Sequence, residues 1–97
     1  MGLLEAAAKE KGLKFRVNHQ DTSEWYSSRR LGAKYSAFKV LIEEGSERIL
    51  GAHLIGPHAE EQINLFTLAI GSRIRSSDIA ATLFAYPTGA SDLSYMV

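Results

Sequence analysis

The sequence predicts an α+β fold: a small antiparallel sheet of three or four strands flanked by helices, in the order α-β-β-β-α-α with a last helical turn. Three observations carry this. Leu13, Phe15 and Val17 alternate with Lys14, Arg16 and Asn18, the period of a strand with one face on a core and one in water. Two strand-like runs, residues 35–43 and 48–55, flank Glu44-Gly45-Ser46-Glu47, which reads as an antiparallel hairpin. From Pro57 to Ser72 apolar residues recur at helical spacing, as in a helix lying on that sheet.

Taken in order, Leu3, Leu4, Ala7 and Ala8 share one helical face, with Lys9 and Lys11 in the last turn and Gly12 free to adopt the left-handed stop. Residues 3–11 are therefore expected to form a short helix, and 13–19 the first strand, with Leu13, Phe15 and Val17 towards the core. From Gln20 to Lys34 the chain is polar apart from Trp25, Tyr26 and Leu31, and a loop of that length in a small domain calls for a role. In the second strand, Phe38, Val40 and Ile42 share a face. Arg48 to Ile55 is apolar on both faces apart from His53, as a covered central strand would be, and Gly51 implies close approach by another backbone.

Pro57 suits the first turn of the following helix, where its missing N–H costs nothing, and Glu60 and Glu61 complement that end of the dipole. At about 100° per residue, Ala59, Ile63, Phe66 and Ile70 form one stripe, which Leu65, Leu68 and Ala69 widen to over about 200°. One sheet face cannot cover that arc. Its remainder must meet either a further helix, Ser77–Leu83 with Ser76 or Ser77 as its cap, or a second copy of the chain. The loop Tyr86-Pro87-Thr88-Gly89 and a helical turn through Leu93 and Tyr95 complete the order.

With 97 residues, 45% of them hydrophobic, the chain fits one compact domain with a single core. Eleven basic and eleven acidic residues cancel, so no broad field favours nucleic acid or an anionic membrane. The sequence has neither a long apolar run nor a cationic start leading into one, and the expected location is cytoplasmic. The absence of cysteine excludes thiol chemistry by this chain alone.

The run Ile49-Leu50-Gly51-Ala52-His53-Leu54-Ile55-Gly56-Pro57-His58-Ala59-Glu60-Glu61-Gln62-Ile63, with Tyr86-Pro87-Thr88 downstream, resembles the C-terminal dimerisation domain of the flavin-dependent pyridine nucleotide-disulfide oxidoreductases. That is the family of glutathione reductase, dihydrolipoamide dehydrogenase and mercuric reductase. Ile49, Leu50, Gly51, Ala52, Gly56, Pro57, Ala59, Glu61 and Ile63 fall in register with its pattern, and Gly2-Leu3, Glu5, Ala8 and Lys11-Gly12 fit its opening helix. The resemblance implies the same α+β arrangement, a homodimer, and a parent binding FAD and NAD(P)H, from which residues 1–97 are expected to be excised as a single interface domain without catalysis of its own. It also suggests a cis bond at Tyr86-Pro87.

In disulfide-reducing members the terminal loop carries a histidine, paired with a glutamate five residues on, that shuttles protons at the partner's thiols. Here Tyr86 takes the histidine position, Ser91 the glutamate position, and the nearest carboxylate, Asp92, comes one residue late. A phenol titrates near 10 where imidazole titrates near roughly 6.5, so the acid–base role does not carry over directly. Mercuric reductase relatives also have tyrosine in this loop. Two readings of Tyr86 follow: it faces the partner's redox centre, or it packs and bonds locally. The interface residues expected on these grounds are Ile63, Phe66, Leu68, Ile70, Pro87 and Thr88, with Tyr86 and Asp92 as the candidates for chemistry.

Other groupings carry less. His53, His58, Glu60 and Glu61 have no recognisable ligand spacing, and no metal site is expected. Ser91, His58 and Asp92 make only a composition-level match to a hydrolase triad. Trp25, Tyr26, Arg29 and Arg30 could contact an anion or nucleobase, but the simpler reading has the aromatics anchoring the loop and the arginines solvated. No Gly-x-Gly-x-x-Gly occurs, so neither FAD nor a nicotinamide has its usual phosphate cradle here. The alternative to an excised domain is a free-standing α+β protein that dimerises or binds a ligand without redox activity.

Overall fold

The computed structural model describes residues 1–25 and 35–97. The elements run α1 (Glu5–Glu10), β1 (Phe15–Asp21), β2 (Ala37–Glu43), β3 (Ile49–Ile55), α2 (Ala59–Gly71), α3 (Ser76–Ala81) and a 3-10 helix (Ala90–Tyr95). The strands form one antiparallel sheet in the order β1-β2-β3. The expected class and element order are those observed.

On one face of the sheet Phe38, Val40, Ile42, Ile49 and Ala52 meet Phe66 and Ala69 of α2, Ile79 of α3, and Leu93 and Met96. Burying a side chain the size of Phe66 stabilises by about 1.5–3 kcal/mol, which makes α2 on the sheet the main structural axis. The hairpin turns through Gly45 at φ 89° and Glu47 at φ 62°, and it is closed by the Glu43 N–H on the Arg48 carbonyl at 2.8 Å. A bulge shifts the register between Leu41 and Ile42.

The edge strand departs from expectation. Phe15 and Val17 pair with Glu43 and Leu41, whereas Arg16, Asn18 and Gln20 pair with the core-facing Ile42, Val40 and Phe38. The apolar side of β1 thus lies on the face away from the main core. The register is tolerated because α2 packs over β3 and leaves β1 largely exposed.

The first helix is shorter than the expected 3–11. Met1 to Leu3 instead run along the free edge of β3: the Leu3 N–H donates to the Leu50 carbonyl at 2.9 Å and the Ala52 N–H to the Met1 carbonyl at 2.9 Å. Gly2 and Gly51 face each other in this pairing, and a β-carbon on Gly51 would run into the Leu3 carbonyl. The close approach expected at Gly51 is real. Its partner is the chain's own beginning, which supplies the partial fourth strand.

Two helix starts also differ. Pro57 lies in the preceding turn and α2 begins at Ala59, because His58 adopts a left-handed conformation at φ 65°. α3 spans Ser76–Ala81 and is capped by Arg75, whose N–H donates to the Asp78 carboxylate at 3.1 Å. Ser76 is not the cap because its hydroxyl donates to the Glu47 carboxylate, joining α3 to the hairpin turn.

Candidate functional site

The C-terminal loop is built on the first turns of α2. Tyr86-Pro87 is cis, as the resemblance suggested. Past it the loop closes on its own polar groups: the Thr88 hydroxyl donates to the Ala85 carbonyl at 2.6 Å, and the Ser91 hydroxyl donates to the Thr88 carbonyl at 2.6 Å. The main-chain N–H groups of Thr88 and Ser91 donate to each other's side-chain oxygens at 3.3 and 3.2 Å. The Tyr86 side chain stands clear, 78% exposed, with no hydrogen bond to another described residue.

Of the two candidates for chemistry, Tyr86 stands on the exposed loop and Asp92 on the 3-10 helix that follows it. The Asp92 N–H donates to the Gly89 carbonyl at 3.3 Å, and the residue lines a small polar cavity with Thr22, Trp25, Ser36, Gln62 and Met96. The residue that holds the loop is one the sequence reading passed over. Gln62 is 5% exposed and donates from Nε2 to the Gly89 carbonyl at 2.6 Å. Beside it a β-carbon on Gly89 would come within 2.8 Å of the His58 Cβ. A cleft of 340 Å³ lies at this junction, lined by His58, Glu61, Gln62, Asn64, Leu65, Gly89 and Ala90.

The expected interface residues divide. Phe66 is fully buried in the chain's own core, so it has no surface to offer a second copy. The buried stripe is centred on Gln62, Phe66 and Ala69, with Ile63, Leu65 and Ile70 partly covered beside it. Leu68 lies over about 100° round the helix from that centre and is 59% exposed. Pro87 and Thr88 are exposed. Leu83 is almost entirely exposed and Tyr95 largely so.

The model of the pyridine nucleotide-disulphide oxidoreductase dimerisation domain matches residues 1–97. This chain belongs to that family. The dimerisation domain is 40% identical over 97 residues to an uncharacterised 19.7 kDa protein in a mercuric resistance operon of Staphylococcus aureus, spanning all of this chain and 54% of that protein. It is 34% identical over 91 residues to the mitochondrial dihydrolipoyl dehydrogenase of Schizosaccharomyces pombe, covering 91% of this chain and 17% of the dehydrogenase. It therefore spans about half of one relative and under a fifth of the other.

Among solved structures the domain superposes on the HOCl-induced flavoprotein disulfide reductase RclA of Escherichia coli with TM-score 0.91 and 21% identity, over 98% of this chain and 22% of that one. LpdA of Mycobacterium tuberculosis gives TM-score 0.88 and 17% identity, over 99% and 21%. These likenesses place the fold of the dimerisation domain beyond doubt, α+β with a three-stranded antiparallel sheet.

Remaining groups are accounted for locally. His53 Nε2 lies 3.0 Å from the Leu3 carbonyl and so carries the proton there. His58 starts α2 and does not approach a ligand set, and among the described residues no three His, Asp or Glu side chains gather as a metal site. Trp25 anchors its segment, with ring centroids 5.6 Å from Phe38 and 6.1 Å from Tyr95. Tyr26, Arg29 and Arg30, named for anion or nucleobase contact, lie outside the described residues. No helix among the described residues is long and apolar enough to cross a membrane. The start of α2 does not fit a nucleotide phosphate either: Pro57 lacks an N–H, and Glu60 and Glu61 place negative charge in the first turn.

Proposed function

We propose that this domain holds together the homodimer of a larger FAD- and NAD(P)H-dependent oxidoreductase and presents Tyr86-Pro87-Thr88 to the redox site of the other subunit. The supporting observation is the Tyr86 loop: its polar groups are satisfied internally, its base is fixed on α2, and its one large side chain is left exposed. Nucleotide binding falls in this reading to other domains of the parent, since the start of α2 does not fit a phosphate. The partner-facing residues in this reading are exposed Leu68 on one side of α2, partly covered Ile63 and Ile70 on another, and Pro87 and Thr88 on the loop. The single-domain span 1–97 and a cytoplasmic location are part of the same proposal.

Tyr86 acts in this reading as a hydrogen-bond donor or contact group. A proton shuttle needs an orienting carboxylate and a pKa near the working pH. Ser91 supplies no carboxylate and spends its hydroxyl on Thr88.

A second reading rests on the Staphylococcus aureus relative. At 19.7 kDa it has room for this domain and about as much again, less than two nucleotide-binding domains of on the order of 100–150 residues each require. The same fold could serve in a short chain that self-associates without flavin.

Cross-linking separates the two. In the intact flavoprotein, Tyr86→Cys introduces the only cysteine of this domain, and mild oxidation is expected to join it to a redox-site cysteine of the other subunit, giving a covalent dimer on a non-reducing gel. Monomer alone, from a protein that is otherwise dimeric, would remove the loop from that site.

A further inference from the structure

Gln62 occupies a place where the helical pattern calls for an apolar side chain. It sits with Phe66 and Ala69 at the centre of the buried stripe of α2 and is only 5% exposed. A buried amide is retained only where its hydrogen bonds are made. The Gln62 bond is short, 2.6 Å from Nε2 to the Gly89 carbonyl, and it spans 27 positions of sequence. Gly89 lies three residues after Tyr86, and the intervening Pro87 and Thr88 belong to the self-bonded loop. On its other side Gly89 is pressed against His58, leaving no room for a β-carbon. The His58 carbonyl in turn accepts the Gln62 N–H at 2.8 Å. Gly89 is therefore held at one point from two directions.

We infer that Gln62 is a positioning residue which fixes the Tyr86 loop against α2 through the Gly89 carbonyl. If the loop lifts, the amide loses its partner inside the core and the carbonyl loses its donor, so the docked geometry is favoured over any detached one. The surface tyrosine is thus aimed by a core side chain, in place of the carboxylate that Ser91 does not provide. The tether stands on the geometry alone; its consequence for the other subunit's redox site rests on the function proposed above.

The tether can be tested in the 97-residue chain by amide hydrogen exchange followed by NMR, as protection factors corrected for pH. Gln62→Leu keeps the volume and removes the donor. Protection at Ser91 and Asp92, whose N–H groups bond within the loop, is expected to fall about tenfold or more, while Val40 and Ala52 in the sheet hold their values. Gln62→Glu supplies a rescue in the same molecule: its neutral carboxyl can donate to Gly89 and its carboxylate cannot. Loop protection in that variant is expected to approach wild type at low pH and to drop selectively as pH rises through the glutamate pKa. Asp92, His58 and Glu61 face the same position, and the wild-type chain over the same pH range accounts for their titration.

Unchanged loop protection in Gln62→Leu would overturn the inference, as would equal losses in loop and sheet. Should Gln62→Leu fail to fold, the Gln62→Glu profile decides: a selective, pH-dependent loss at Ser91 and Asp92 supports the tether, and its absence refutes it. A confirmed tether beside a Tyr86 without effect on turnover would defeat the proposed role of the loop at the redox site and leave this inference standing.

Discussion

Ser91 and Thr88 bond to each other twice through main-chain N–H and side-chain oxygen, at 3.2 and 3.3 Å, and the Ser91 hydroxyl also donates to the Thr88 carbonyl at 2.6 Å. Ser91 stands where the family resemblance places the glutamate of a proton-transfer pair. Its hydroxyl is committed to the loop's own closure, so residue 86 receives no orientation from it. The position that the resemblance assigns to an orienting carboxylate serves loop closure here.

A direct consequence concerns α2. Phe66 is fully buried and Leu68 is 59% exposed, although the two are only two positions apart. Phe66→Ala is expected to cost about 3–5 kcal/mol of stability through the cavity it leaves. Leu68→Asp should change stability by no more than about 0.5 kcal/mol and weaken self-association of the dimeric protein. Urea melts and sedimentation equilibrium on each variant provide the check. Association unaffected by Leu68→Asp would take the exposed face of α2 out of the interface.

Gly51 leads to a second prediction. A β-carbon there meets the Leu3 carbonyl, a backbone atom that cannot swing aside. Gly51→Ala should cost about 1–3 kcal/mol, the usual range for overpacking, and should release Met1 to Leu3 from the edge of β3. Faster exchange of the Leu3 and Ala52 amides, with Val40 unaffected, is the expected signature. An alanine variant with wild-type stability and exchange would show that the edge pairing is absent in solution.

The α+β class and the strand order were legible because they rest on long-range patterns: alternation in 13–17, the hairpin around Gly45, and an apolar helix after Gly56. What the sequence left hidden was decided by tertiary contacts. Which face of β1 meets the core depends on where α2 crosses the sheet, and α2 lies over β3. Leu3 and Leu4 look helical until the bare edge of β3 is available to them. Gln62 carried no signal as a tether because its partner Gly89 is distant in sequence, though a glutamine within an apolar stripe was a clue. The exposure of Tyr86 likewise depended on how the loop closes, which the order of residues does not reveal.

Acid should weaken the junction between the hairpin turn and α3. The Ser76 hydroxyl bonded to the Glu47 carboxylate, and then the nearby Arg16 guanidinium at 3.6 Å, hold the Glu47 pKa below its ordinary value. A carboxyl whose pKa is lower folded than unfolded contributes stability that is present above the unfolded value and is lost as pH falls through the folded one. Melting temperature should therefore decline below about pH 4.3, the unfolded glutamate range. Asp78 and Glu5, lowered by their pairing with Arg75 and with Lys9 and Lys39, add to the same trend. Glu47→Gln should melt lower than wild type at pH 7, with the gap closing as pH falls. A gap that stays constant from pH 7 to pH 3 would mean the Glu47 charge contributes nothing.

The absence of a phosphate cradle makes a prediction about the 97-residue chain. With Pro57, Glu60 and Glu61 at the start of α2 and no Gly-x-Gly-x-x-Gly in the sequence, the chain should retain neither FAD nor NAD(P)H. Equilibrium dialysis with micromolar FAD measures this directly. Stoichiometric retention would locate a nucleotide site in the dimerisation domain itself and overturn the division of labour proposed here.

Tyr86→Phe is the sharpest test of the loop. The side chain is 78% exposed and its hydroxyl has no hydrogen bond to a described residue, so its removal should leave the stability of the chain within about 0.5 kcal/mol. In the intact flavoprotein, a hydroxyl that donates to a group at the other subunit's redox site would be largely desolvated there. Losing such a bond is worth about 1–3 kcal/mol, which corresponds to a fall in turnover of roughly five- to 150-fold. That reaches only the lower end of the range of roughly 100- to 10,000-fold for a fully positioned acid–base group, as expected where Ser91 provides no carboxylate to orient the phenol. The measurement is kcat and KM beside a melting curve for the wild-type flavoprotein and the variant. A loss confined to kcat, with an unchanged melt, would place the hydroxyl in the transition state, while a rise in KM alone would make it a binding contact. Turnover and KM both equal to wild type would reduce Tyr86 to a surface residue and separate the dimerisation role of this domain from any part in the chemistry.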